Sequence, residues 1–169
     1  MLDKTNLHSL IKDKELFKEK GYIGGTWVES LSSKKFEVFN PSTGELIATV
    51  PDMGVEDTKE AIEKAHDALA SWSKKTAKER ASILHKFFRL MVDSADDLAI
   101  ILTAEMGKPL AEAKGEIVYG ASFIEWFAEE GKRVYGETIP GHQNDKRIIV
   151  IKQAVVVVAA ITPWNFPNA

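Results

Sequence analysis

The sequence predicts a mixed α/β fold, and three observations carry that expectation. Two period-two apolar runs flank the turn residues Asn40-Pro41-Ser42-Thr43-Gly44, which reads as a β-hairpin. The middle of the chain then switches to three-and-four apolar spacing and holds it through four successive helical segments. Finally, "AVVVVAAI" (154–161) is apolar throughout with no alternation, the pattern of a strand covered on both faces in a parallel sheet.

The elements follow in order. Residues 1–20 read as a polar, loosely amphipathic lead-in. "GYIGGTWVES" has short apolar alternation broken by glycines, so it reads as a strand with a turn. In the hairpin, Phe36 and Val38 alternate on one strand and Leu46, Ala48 and Val50 on the other. After Pro51, Ala61, Ile62, Ala65, Ala68, Leu69 and Trp72 mark the buried face of a first helix. Thr76 with Glu79 three residues on is a capping box, opening a second helix whose apolar face is Ile83, Leu84, Phe87, Leu90 and Met91. Ser94 and Asp97 repeat that start signal for a third helix through Leu98, Ile101 and Leu102. Gly107 supplies a left-handed stop, and Pro109 preorganises the next first turn.

The fourth helix is expected from Pro109 to near Arg133. Leu110, Ala113, Ile117, Gly120, Ala121, Ile124, Phe127 and Ala128 form its stripe. Gly115, Gly120 and Ala121 keep part of that stripe thin, suiting either a packed helix or a ligand. Gly136 and Pro140 end the helical region, and "GETIPGHQNDK" reads as a loop. Arg147–Gln153 and then 154–161 read as strands. A parallel strand needs crossover partners. None follows in these 169 residues, so the sequence is expected to be incomplete as a fold.

Composition narrows the function classes. Hydrophobic residues make up 44% and charged residues 28%, a soluble globular balance. The net charge of −3 is spread over interleaved acids and bases, so nothing favours nucleic acid. There is no cysteine, which removes disulfides, thiolate metal sites and cysteine nucleophiles from these residues. The four histidines have no metal-like spacing, so no metal site is expected. The N-terminus lacks a signal-peptide core, and no apolar run reaches the roughly 18 residues of a membrane span. A cytoplasmic protein is expected.

The loop after the apolar run is the best candidate for chemistry. In open α/β sheets ligands bind beyond the carboxyl ends of strands, where Thr162, Trp164 and Asn165 stand. Pro163 and Pro167 stiffen the loop, and an asparagine amide held there can donate to a developing oxyanion. The alternative is an ordinary connection in which Asn165 caps a helix. Glu125, Glu129 and Glu130 read as a solvated face. No dinucleotide fingerprint, P-loop or nucleophile elbow is present.

"TPWNFP" (162–167) resembles the signature loop of the NAD(P)-dependent aldehyde dehydrogenases. "NPSTGE", "KTAKERASIL", "EMGKPLAEAKGEI", "ASFIEWFAEEGKRVYGETIPGH" and "KRIIVIKQ" follow in that family's order. Together they are similar to its succinate-semialdehyde dehydrogenase branch, from about Gly21 to Phe166. The resemblance implies the N-terminal part of the aldehyde dehydrogenase fold: hairpin, helical segment, oligomerisation-arm strand and first Rossmann-like strand. It divides the chain into a lead-in (1–20), part of the cofactor-binding domain (21–137), an oligomerisation-arm segment (138–153), and the first strand with signature loop of the dinucleotide-binding sheet (154–169).

It also implies a mechanism. A cysteine thiolate attacks the aldehyde, an asparagine amide and a backbone amide hold the oxyanion, hydride passes to NAD or NADP, and a glutamate activates water. Asn165 falls on the oxyanion asparagine. Ile161, Thr162, Pro163 and Trp164 fall on the dinucleotide site, and Gly120, Phe123 and Trp126 on the substrate-tunnel wall. The family's cysteine, glutamate base, adenosine-binding lysine and carboxylate-binding arginines would lie beyond Ala169. Alone, the chain is therefore expected to be inactive. The expected partners are a small aldehyde in the complete enzyme, further copies in a homo-oligomer, and a full-length paralogue. Two other readings stay open: a non-catalytic module that associates with such a paralogue, and a gene remnant. One departure stands out. Where the family usually carries Pro-[Ile/Val]-Gly-Val, this chain has Ala154-Val155-Val156-Val157, so Val156 is expected to crowd a position the family leaves open.

Overall fold

Short-range signals build three separate two-stranded antiparallel sheets around a helical body. The computed structural model describes residues 4–169, and side chains from residue 7 onward. β1 (Gly21–Ile23) and β2 (Thr26–Val28) are joined by Gly24-Gly25. Both glycines take positive φ, 59° and 88°, the two-residue turn whose twist suits paired strands. β3 (Lys35–Phe39) and β4 (Leu46–Pro51) form the expected hairpin, with Phe36 opposite Val50 and Val38 opposite Ala48. Asn40 closes its turn: the Asn40 N–H donates to the Glu45 carbonyl, and its side-chain oxygen accepts from the Ser42 amide.

The helices are α1 (Lys4–Leu10), α2 (Val55–Trp72), α3 (Ala77–Asp93), α4 (Ala95–Met106) and α5 (Leu110–Glu130). The capping box of α3 forms as expected. The Thr76 amide donates to Glu79 Oε2 at 2.7 Å, and the Glu79 amide donates to Thr76 Oγ1 at 3.3 Å. Gly107 ends α4 at φ 81°. α5 stops at Glu130 and a 3-10 turn over Gly131–Arg133 follows. No helix among the described residues is long and apolar enough to cross a membrane.

α4 is the centre of the molecule because it is small or apolar on two sides. On one side Ala104 joins Leu7, Ile11, Phe17, Ile47 and Ala48 in a core shared with α1 and the β3–β4 hairpin. On the other, Ala95, Ala99 and Leu102 pack against Ala113 and Ile117 of α5. The N-terminal residues are thus not a loose lead-in: Leu7 is fully buried. Their spacing was hidden among charges, which stay in water while the apolar stems pack.

Asp97 does not complete a second capping box. Ser94 makes no side-chain cap, and the Asp97 carboxylate accepts from the amides of Lys12 and Asp13 at 3.0 and 2.9 Å. A distant loop won the carboxylate that local pattern assigned to its own helix end. Asp57 is used similarly. It accepts from the Leu31 amide (2.8 Å), the Gly54 amide (2.7 Å) and Ser30 Oγ (2.9 Å), pinning the β2–β3 connection to the start of α2. The Leu31 amide first, then the Gly54 amide, hold its carboxyl below the usual aspartate range. That contribution to stability is complete above the unfolded-chain value, about pH 4, and is lost as the pH falls through the lowered folded value. Asp57→Asn should therefore lower the thermal midpoint at neutral pH and flatten its acid dependence. Parallel thermal scans of both forms from neutral to acid pH check this, and parallel curves would refute it.

Three expectations fail. The α2 and α3 faces are only partly covered: Ile62, Ile83, Phe87 and Leu90 are each about half exposed. Among the described residues α3 packs chiefly on α5, and α2 chiefly on β1. The loop "GETIPGHQNDK" contains a strand, β5 (Glu137–Pro140), which pairs with β6 (Arg147–Val150) in an exposed hairpin. β6 is correspondingly shorter than the expected 147–153.

The apolar run 154–161 forms no strand, and it is largely exposed. A strand is held by ladder hydrogen bonds to a neighbour, and no described strand lies beside it. Val156 shows the local cost. It is forced to φ 53°, a left-handed conformation that is an outlier for a β-branched residue. The departure from glycine thus appears as backbone strain, with the side chain itself 57% exposed. Relieving about 1–2 kcal/mol of left-handed strain outweighs the roughly 0.5–1 kcal/mol entropy cost of glycine. Val156→Gly should raise the unfolding free energy by up to about 1 kcal/mol in urea titrations, and a decrease would contradict the strain.

Candidate functional site

The loop 162–169 lies against the α4–α5 junction and the first half of α5. Four residues of this body create its seat. Lys108, in the link after Gly107, and Glu116, on the apolar stripe of α5, form an ion pair with side chains only 9% and 1% exposed. Lys108 Nζ also donates to the Asn165 carbonyl at 2.8 Å and sits 4.0 Å from the centre of the Phe166 ring. Glu116 Oε1 accepts from the Asn168 amide at 2.9 Å, and the Glu116 carbonyl accepts from Asn168 Nδ2 at 3.2 Å. Ala113 and Gly120 keep the flanking turns of α5 small, and Asn168 sits directly over Gly120.

Within this loop Asn165 is fixed by its main chain and free at its side chain. Its amide group makes no hydrogen bond among the described residues, and the residue is exposed. It does not cap a helix: the segment around it is turn, closed by the Phe166 amide donating to the Pro163 carbonyl. Ile161 and Trp164 are 99% and 82% exposed, and Thr162 and Pro163 are exposed between them. Three of the four are apolar and Thr162 is polar. They include no cation and no helix N-terminus that could hold a pyrophosphate.

The expected tunnel residues are not brought together. Gly120 faces the loop, whereas Phe123 and Trp126 face a groove of about 600 Å³ between α3 and α5, beside His85 and Ser122. There His85 Nε2 meets Glu129 Oε1 at 2.6 Å, and Lys132, then His85, hold the Glu129 carboxyl below its usual range. Glu129 therefore cross-links two helices as well as facing solvent.

Lys108, Glu116, Phe166 and Asn168 escaped the sequence reading. A signal for one of them was present: Glu116 stands on the apolar stripe, three residues after Ala113 and next to Ile117. A carboxylate on a buried face needs a partner.

The site thus consists of an asparagine-bearing loop after an apolar segment, seated on a helical body. The chain belongs to the aldehyde dehydrogenase family, which it matches over residues 27–169. More particularly, it is 59% identical over 159 residues to a glutarate-semialdehyde dehydrogenase of Pseudomonas putida and 57% identical to an NADP-dependent succinate-semialdehyde dehydrogenase of Escherichia coli. Each alignment covers 94% of this chain and 33% of the relative. The crystal structure of a succinate-semialdehyde dehydrogenase from Burkholderia pseudomallei superposes with a TM-score of 0.91 at 59% identity, covering 93% of this chain and 33% of that one. The chain spans about one third of the length of these relatives, and its α/β architecture is the N-terminal part of their fold.

Proposed function

We propose that this chain supplies the oxyanion asparagine and one wall of the nicotinamide dinucleotide site to an enzyme that oxidises the semialdehyde of a short dicarboxylic acid. The observation that carries the reading is Asn165. Its carbonyl is anchored by Lys108 while its amide is left free on a loop stiffened by Pro163 and Pro167. A donor whose main chain is already in place leaves less to reorganise when charge develops on an aldehyde oxygen. NAD or NADP, when bound, would accept the hydride. Trp164 and Ile161 would cover one face of it and keep water from that side. That relatives are named for glutarate and succinate semialdehyde supports four- and five-carbon semialdehydes as the substrates.

These 169 residues contain no thiol, so by themselves they cannot form the covalent adduct that such an oxidation requires. The purified chain should give no NADH or NADPH above the blank with succinate semialdehyde. A hybrid in which residues 1–169 replace the matching third of the E. coli relative should turn over that substrate. A folded, cofactor-binding hybrid without turnover would refute the reading. A second reading, association with a longer relative, is favoured by the β5–β6 hairpin. Every one of its strand residues is exposed, Ile149 by 72%. Co-purification with such a relative, abolished by Ile149→Asp, tests it.

A further inference from the structure

We propose that Lys108 and Glu116 are positioning residues for Asn165, acting as a buried ionic latch that sets the loop's place on α5. This rests on the reading of Asn165 as the oxyanion donor. The latch joins three points of the loop. Lys108 takes the Asn165 carbonyl and the face of the Phe166 ring, and Glu116 takes the Asn168 amide. Among the described residues, no residue outside the loop other than Lys108 and Glu116 hydrogen-bonds it. Residues 154–161, which lead into it, belong to no sheet. The loop's own main-chain hydrogen bonds run from Phe166 to Pro163 and from Ala169 to Phe166, both within the loop.

The chemistry of the pair supports a geometric role over simple stabilisation. Both side chains are withdrawn from water. Replacing a buried ion pair by apolar residues of similar volume is often neutral or stabilising. What an apolar pair could not supply is a directed donor for the Asn165 carbonyl and a directed acceptor for the Asn168 amide. Each oxygen of Glu116 has a different partner, Lys108 on Oε2 and Asn168 on Oε1, so the carboxylate orientation couples the two ends of the loop. Holding the carbonyl of Asn165 holds the peptide plane that follows it, and so narrows the directions in which the side chain can leave the main chain.

Two measurements decide the matter independently. In the 169-residue chain, Lys108→Met should speed amide hydrogen exchange at Asn168 and Ala169 by about tenfold or more. The Gly107 amide, which donates to Thr103 within the α4 cap, should not change, and Lys108→Arg should restore most of the protection. In the hybrid enzyme, Lys108→Met should lower kcat by about 10–100-fold with KM little changed, again with recovery by arginine. Unchanged exchange at Asn168 overturns the latch. Faster exchange with unchanged kcat in an active hybrid overturns the positioning role. A parent hybrid that never turns over defeats the proposed function instead, and the exchange arm then decides the latch alone.

Discussion

Asn165→Ala in the hybrid enzyme should lower kcat by about 10²–10³-fold, the usual loss on removing one oxyanion donor. KM for the semialdehyde should stay within a few-fold, because the neutral carbonyl of the bound substrate gains little from a donor aimed at the charged state. The structure makes the experiment unusually clean. Asn165 is anchored through its carbonyl oxygen, and its side chain makes no hydrogen bond among the described residues. Truncation therefore leaves the contacts of Lys108 and Glu116 with the loop in place. Thermal midpoints of parent and variant should agree. Asn165→Asp should be at least as damaging, since a carboxylate of similar shape presents negative charge where negative charge develops. A kcat within about threefold of the parent, in a hybrid with unchanged stability, would remove Asn165 from the chemistry.

How much of this was legible in the sequence depends on the range of the forces involved. The β3–β4 hairpin, the α3 capping box and the Gly107 stop were readable because their determinants lie within five residues of one another. Asp97 and Asp57 were not, since each carboxylate is taken by backbone amides far away in sequence. Val156 stands out in the sequence, at a position where the resemblance implies glycine, but its positive φ emerges only when the chain path is known. The apolar run 154–161 carried a true signal for a doubly covered strand, and pattern alone cannot supply the neighbours that a ladder needs. At the site, the residue type of Asn165 and the stiffness of its loop were visible. Lys108 was not, because a lysine between Gly107 and Pro109 reads as a solvated link until the loop folds back over it.

Gly120→Ala should release the loop, although helix propensity alone predicts the opposite sign. In a helix interior the exchange of glycine for alanine gains about 0.5–1 kcal/mol. Gly115 provides the control on the same helix: a Cβ there would meet nothing within 4 Å, so Gly115→Ala should be stabilising by that amount. At Gly120 the added carbon would stand 2.5 Å from the Asn168 carbonyl oxygen and closer still to Nδ2. The oxygen belongs to main chain and cannot swing aside as a side-chain tip would. Helix α5 is fixed by Ala113, Ile117 and Ala121 in its buried face, so the loop must move. Overpacking of this kind costs about 1–3 kcal/mol. That charge falls on loop docking, while the helix keeps its propensity gain. Urea unfolding followed by helical circular dichroism should therefore show little or no loss for Gly120→Ala. Amide exchange at Asn168 should rise by about tenfold or more, and kcat of the hybrid should fall with it. If the two alanine variants instead behave alike in exchange and in turnover, the glycine is not there for the loop, and the close approach of Asn168 to α5 has no part in placing Asn165.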